Sequence, residues 1–184
     1  KYWSEAIETM DPEERDRKIV LPKLQSQLKY AYERSPFYKK KWDKAGVKPE
    51  DIRSLADFEN IPFVTKEEIR QDQAENPPFG SYLCVPRNEV ARVQGTSGTT
   101  GRPTAFAISR GDMERIAEAH ARAMWGFGVR PDDTVFIGSF FSLYWGSWGA
   151  LIGTERLGAT AFPFGAGVAG QSDRSIEWMR DVKP

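Results

Sequence analysis

Apolar residues recur at Leu21, Leu24, Leu28 and Tyr32, one stripe along an otherwise charged segment, and this spacing predicts a long surface helix. Ser35-Pro36 ends it, because the residue before a proline avoids helical geometry. Phe37, Tyr38 and Trp42 predict a short aromatic helix that closes near Gly46. Thr65 with Glu68 three residues on forms a capping box ahead of Ile69. From Val90 the pattern changes. Val90 to Gln94 reads as a strand, a Gly/Ser/Thr-rich segment follows, and Thr104 to Ser109 reads as a second strand. Met113, Ile116, Ala117, His120, Met124 and Phe127 make one face of a helix ending near Gly126 or Gly128. Beyond it come a strand over Thr134–Ser139, a helix over Ser147–Leu157 closed by Gly158, a strand over Ala159–Phe164 and a last helix over Ser172–Asp181.

The β-α-β-α-β-α alternation after residue 104 predicts an α/β fold, with right-handed crossovers onto a mainly parallel sheet flanked by helices. Charge and glycine divide at the same place. Residues 1–89 hold 33 of the 52 charged side chains and residues 90–184 hold 14 of the 16 glycines. A helical N-terminal region, mostly scaffold, is therefore expected over 1–89, and an α/β subdomain over 90–184.

Composition narrows the function. Lys plus Arg and Asp plus Glu are both 26 in 184 residues, so the formal net charge is zero, which argues against nucleic acid as a partner. The basic run Lys39-Lys40-Lys41 reads as a solvated helix face. No apolar run approaches the ~20 residues that cross a bilayer, so no membrane partner is expected. There is no secretory apolar region at the start, and Cys84 is the one cysteine, leaving neither a disulfide framework nor a cysteine metal cluster. A soluble cytoplasmic protein is expected. The chain begins at Lys1 and stops just after a helical stretch, which reads as a piece of something longer.

The densest chemical signal is Gly95-Thr96-Ser97-Gly98-Thr99-Thr100-Gly101-Arg102-Pro103-Thr104. Glycines at three-residue spacing bring backbone amides close to an anion, and the hydroxyls between them can donate to phosphate oxygens. It is not a Walker loop, which ends in Gly-Lys-Ser/Thr and runs directly into a helix. The alternative is a hairpin loop rich in turn formers.

Thr96 to Pro103 resembles the phosphate-binding signature of the AMP-forming adenylating enzymes, which include acyl- and aryl-CoA ligases and peptide-synthetase adenylation domains. Most members end it in lysine. Thr104 stands there in this chain and resembles the phenylacetate–CoA ligase branch, as do Tyr32-Glu33-Arg34-Ser35-Pro36-Phe37-Tyr38, Ile61-Pro62-Phe63-Val64-Thr65-Lys66 and Glu155-Arg156-Leu157-Gly158-Ala159-Thr160. The resemblance implies ATP-dependent activation of a small-molecule carboxylic acid to an acyl-adenylate, then transfer to coenzyme A, with Mg²⁺ shielding the phosphates. It implies that Thr96, Ser97, Gly98, Thr99, Thr100 and Gly101 grip the β- and γ-phosphates. It further implies that residues 90–184 are the first, incomplete α/β part of an AMP-binding domain. The catalytic residues are then expected beyond residue 184, the fragment alone is expected to be inactive, and a homodimer is plausible for the family.

Phe140 to Gly149 packs five aromatics into ten residues after a strand end, where ligand sites in open α/β sheets gather. Glycine beside aromatics leaves a slot for a planar ring, and the resemblance implies an acid pocket here. Phe141, Tyr144, Trp145, Gly146 and Trp148 are its expected walls; ordinary core or a dimer contact is the alternative. Gly165-Ala166-Gly167-Val168-Ala169-Gly170 matches G-x-G-x-x-G formally, the basis for a dinucleotide-binding module as an alternative of another class. Pro163 in the preceding strand and the late position argue for a pocket-lining loop instead. An adenylating enzyme with a non-CoA acceptor and a non-catalytic interaction domain are further alternatives. His120 is expected to be a buried structural histidine and Cys84 a core residue.

Overall fold

The computed structural model describes residues 1–96, 103–167 and 172–184. The chain divides into two compact units, Lys1–Val90 and Ala91–Pro184.

The first unit is helical. Two single turns, α1 (Glu5–Glu8) and α2 (Pro12–Arg15), lead through a π-helical turn into α3 (Leu21–Arg34). Asp11 caps α2 by accepting from the Glu14 amide at 3.0 Å. The apolar stripe of α3 faces the core that sequence periodicity predicts. Leu28, Ala31, Trp42 and Ile52 are buried together, with Leu24, Tyr32, Tyr38, Val47 and Ile61 packed around them. Ser35 is extended, ends α3 and caps α4 (Pro36–Ala45), its hydroxyl accepting from the Tyr38 amide at 3.3 Å. Gly46 closes α4 in the left-handed conformation (φ 68°), which glycine adopts without steric cost. Thr65 opens α5 (Lys66–Glu75) with the capping box, both reciprocal bonds to Glu68 being present. Buried Asp72 accepts from the Ser81 amide at 2.6 Å, the Ser81 hydroxyl at 2.5 Å and the Asn76 side chain at 3.1 Å.

The second unit begins with β1 (Val90–Gly95) paired to β2 (Ala105–Ser109). Helix α6 (Arg110–Gly126) follows at once, because Ser109 and Asp112 form a capping box that the apolar periodicity alone does not reveal. Phe127, expected on the apolar face of this helix, lies just past its end and is 84% exposed. Strand β3 (Thr134–Phe136) runs parallel to β4 (Thr160–Phe162), pairing Thr134 with Thr160 and Phe136 with Phe162. Between them, α7 (Trp145–Leu157) ends at Gly158 (φ 90°), and α8 (Ser172–Val182) comes last.

The mixed α/β character matches the sequence pattern, but a mainly parallel sheet does not form. Among the described residues there are two separate two-stranded ladders, of which β3–β4 is parallel. Both of those strands are three residues long. After Ile137 donates to Phe162 O at 2.9 Å, the chain leaves the ladder through Gly138. Pro163 has no N–H to extend β4, and Phe164 N turns back to Phe162 O at 2.9 Å.

Helices α6 and α7 pack at close range. A Cβ on Gly153 would lie 2.5 Å from His120 Cβ and 2.9 Å from its carbonyl carbon, and one on Gly149 would strike the His120 ring. Ala121 and Thr154 in this seam are fully buried. Small residues let the two backbones approach, as in other close helix pairs.

Candidate functional site

Strand β1 alternates in burial: Arg92 and Gln94 turn inward while Ala91 and Val93 face solvent. At its end, Gly95 N donates to Leu143 O at 2.9 Å, which ties the strand to the aromatic segment. Thr96 N donates to Thr104 O at 3.1 Å, and Thr104 N donates back to Thr96 Oγ1 at 3.1 Å. This reciprocal clasp fixes both ends of the Gly/Ser/Thr-rich segment. Thr96 Oγ1 is thereby used as an acceptor, and its O–H remains able to donate to an anion. Ser97, Gly98, Thr99, Thr100 and Gly101 lie outside the described residues. Gln94 and Thr104 are both more than nine-tenths buried, and Gln94 Oε1 and Thr104 Oγ1 lack a hydrogen-bond partner among the described residues.

The aromatic residues gather around the first turns of α7. Trp148 Nε1 donates to Ser142 O at 2.8 Å, and Phe141 meets the Trp148 ring edge-on with centroids 4.9 Å apart. Ser147 fastens the same segment, its hydroxyl donating to Phe140 O at 2.8 Å. Trp145 faces His120 at 6.4 Å between ring centroids. Tyr144 lies over Gly146, where a Cβ would come within 2.8 Å of the tyrosine hydroxyl. A side chain at 146 would need the Tyr144 ring to move, and in this arrangement the space glycine leaves is filled by that ring.

One residue of this cluster escapes the sequence reading. The Arg92 guanidinium carbon lies 4.7 Å from the Trp148 ring centroid and 5.8 Å from that of Trp145, within cation–π range of both. Arg92 Nη1 is buried without a hydrogen-bond partner among the described residues. The available signal was its place on the inward face of β1, two residues before buried Gln94.

The remaining candidates are occupied elsewhere. His120 is half-buried, with Nδ1 2.9 Å from Ile116 O, and serves the α6–α7 seam. Cys84 is half-buried, its thiol 3.5 Å from Tyr82 O. Among the described residues no group of three or more His, Cys, Asp or Glu side chains gathers as a metal site. Of the G-x-G-x-x-G segment, Gly165 and Gly167 are described, both at positive φ, and Gly165 N donates to Ile137 O at 3.0 Å. Val168, Ala169 and Gly170 lie outside the described residues. In the first unit a cavity of about 650 Å³ is walled by Lys40, Lys41 and Lys44 on α4 and by Glu68, Asp72 and Glu75 on α5. Its opposed charges largely cancel. Lys41, expected on a solvated face, bonds Glu68 instead. That bond and the Thr65 amide hold the Glu68 carboxyl down at about 2.

The fold and the clasped segment define a class when set beside known proteins. The whole chain superposes on 2-hydroxyisobutyryl-CoA ligase in complex with 2-HIB-AMP at a TM-score of 0.93 and 53% identity, covering 38% of that chain. It superposes equally on the same ligase with 2-HIB-AMP and CoA in the thioesterification state, at a TM-score of 0.93 and 54% identity. These are acid–CoA ligases. Among curated proteins, the phenylacetate-coenzyme A ligase of Aromatoleum evansii is 39% identical over 168 residues, 91% of this chain and 36% of its own length. That of Escherichia coli (strain K12) is 37% identical over 180 residues, 95% of this chain and 39% of its own length. No family profile matches the chain. Over most of its length the chain is similar to phenylacetate–CoA ligases and to another acid–CoA ligase, and it spans a little over a third of the relatives it matches.

Proposed function

We propose that the protein containing this chain activates a carboxylic acid with ATP and transfers the acyl group to coenzyme A. A carboxylate oxygen attacks the α-phosphorus of ATP, the bond to the β-phosphate oxygen breaks, and pyrophosphate leaves. The CoA sulfur then attacks the acyl carbonyl, the bond to the AMP oxygen breaks, and the thiol proton passes to solvent. The observation that carries this reading is the superposition of the entire chain, at 53% identity, on a ligase holding an acyl-adenylate.

In this reading residues 1–89 are a helical scaffold and residues 90–184 open the AMP-binding domain, whose other strands extend the parallel β3–β4 pair into a larger sheet. Thr96, Ser97, Gly98, Thr99, Thr100 and Gly101 hold the β- and γ-phosphates. Their contribution is position and charge stabilisation; none need act as acid or base. Phe141, Tyr144, Trp145, Gly146 and Trp148 shape the acid site. Mg²⁺ arrives on the triphosphate, as it usually does where phosphates supply most of its ligands. The acid–base groups of catalysis lie outside this chain, which alone does not turn over. The resemblance supports a cytoplasmic enzyme and allows a homodimer.

The higher identity to 2-hydroxyisobutyryl-CoA ligase, 53% against 39% for the phenylacetate ligase, favours a short branched acid over an aryl one. Closure of Tyr144 over Gly146 points the same way by reducing room for a flat ring. Neither the geometry nor the relatives' names support a dinucleotide module or a non-CoA acceptor. The test is acid-dependent ATP–pyrophosphate exchange by the full-length protein, with 2-hydroxyisobutyrate, phenylacetate and benzoate in parallel. No exchange with any of these acids, in a folded protein that also fails to bind ATP, would remove the reading.

A further inference from the structure

We propose that Arg92 is a positioning residue that sets the acid specificity of the aromatic site, an inference that rests on the function proposed above. Trp148 is held on three sides. Its Nε1–H is fixed to Ser142 O at 2.8 Å, Phe141 packs edge-on at 4.9 Å, and the Arg92 guanidinium lies 4.7 Å from the ring centroid. The same guanidinium reaches Trp145 at 5.8 Å, so one cation spans two indoles a single helical turn apart.

A purely structural residue would not be arginine here. Among the described residues Nη1 is buried without a hydrogen-bond partner, which is unfavourable, and an aliphatic side chain of the same length would fill the volume without that penalty. What the cation adds is attraction to the faces of electron-rich rings, strongest for indole and stronger when water is excluded. Arg92 therefore fixes the tilt of the two rings that wall the site. It acts from a strand that is itself anchored, since Gly95 N three residues on is bonded to Leu143 O. The ligand served is the apolar part of the carboxylic acid, which meets the indole surface that Arg92 leaves uncovered. Arg92 touches neither reacting atoms nor phosphates in this scheme, so its effect falls on acid binding and selection rather than on the chemical steps.

The experiment is steady-state exchange kinetics on the full-length enzyme with Arg92→Met, Arg92→Lys and Trp148→Ala, using 2-hydroxyisobutyrate and phenylacetate. Loss of a half-buried cation–π contact predicts a roughly 3- to 30-fold rise in KM for the preferred acid in Arg92→Met. KM for ATP changes less than about two-fold, kcat changes less than KM for the acid, and preference between the two acids narrows. Arg92→Lys keeps the charge but not the planar group and falls between wild type and Arg92→Met. If KM for the acid and KM for ATP rise together in both Arg92 variants, the residue supports only the strand and the proposal is overturned. If Trp148→Ala raises KM for the acid while both Arg92 variants match wild type, Arg92 positions nothing. If Trp148→Ala also leaves acid binding intact, the aromatic site itself is misassigned, a failure of the underlying function reading that this arm separates from the other two.

Discussion

Replacing Gly153 with alanine isolates the close approach of α6 and α7. The new Cβ would sit 2.5 Å from His120 Cβ, 2.9 Å from His120 C and 3.1 Å from Ala121 N. Two of these three are backbone atoms, so no side-chain rotation relieves the contact and the helices must separate. Overpacking of this kind costs about 1–3 kcal/mol. Against it stands the helix propensity of alanine, which returns up to about 1 kcal/mol over glycine. Gly126→Ala supplies the control, because that helical glycine has no atom within 4 Å of its would-be Cβ and keeps the propensity gain alone. Gly126 ends α6, so its propensity gain is at most that of interior Gly153, and the difference between the two variants is a lower bound on the clash. Equilibrium urea unfolding followed by tryptophan emission measures the difference from the shift in midpoint at constant slope. Gly153→Ala is expected to be less stable than Gly126→Ala by about 1–3 kcal/mol. Gly149 extends the test, since the three atoms nearest its would-be Cβ all belong to the His120 ring. His120→Ala therefore rescues Gly149→Ala but not Gly153→Ala, because His120 Cβ survives the truncation. Equal stability of Gly153→Ala and Gly126→Ala would refute the close-packed seam.

Three further outcomes follow from other parts of the chain. Glu68 is held at about 2 against an ordinary 4.5, first by Lys41 and then by the Thr65 amide. A lowered carboxyl contributes stability above its unfolded value and loses it as pH falls through the folded one. The stability gap between wild type and Glu68→Gln is thus constant above about pH 4.5 and shrinks toward pH 2; a gap independent of pH across that window would sink the assignment. Leu28→Ala, which empties the centre of the first unit's core, is expected to cost about 2–5 kcal/mol by chemical unfolding, and a loss under about 1 kcal/mol would mean the site collapses freely. In the full-length enzyme, Ser97→Ala and Thr99→Ala are each expected to lower ATP–pyrophosphate exchange roughly 10- to 100-fold, as one charge-assisted hydrogen bond predicts. Unchanged exchange in both variants would remove them from the phosphate site.

Most elements were legible because their signals are local. The stripe from Leu21 to Tyr32, the Thr65–Glu68 capping box and the glycines at 46 and 158 each specify structure within a turn or two of chain. The extent of the sheet was not legible, because pairing partners are distant and this chain spans only a part of the relatives it matches. Phe127 was misplaced for a different reason: it continues the periodicity of α6, but the helix stops one residue short of it. At the candidate site, the glycine and hydroxyl content of residues 95–104 stands out in sequence, whereas the Thr96–Thr104 clasp needs coordinates. Arg92 was missed because a charge on a short strand ordinarily faces water. Only the burial of Gln94 and the tryptophan rings across from it show that this face turns inward.

The glycine seam also bears on how the acid range of such an enzyme can change over evolution or in the laboratory. The two glycines that meet α6 and the tryptophans that meet Arg92 stand on one helix, with Trp148 and Gly149 adjacent. Turning α7 about its axis to re-aim the indoles would drive a longer side chain into the backbone of the neighbouring helix. The helix is therefore a fixed rail. In the acid site proposed above, change is left to individual side chains at positions 141, 144 and 148, and libraries that vary those positions while keeping 149 and 153 as glycine search the part of sequence space still open to the fold.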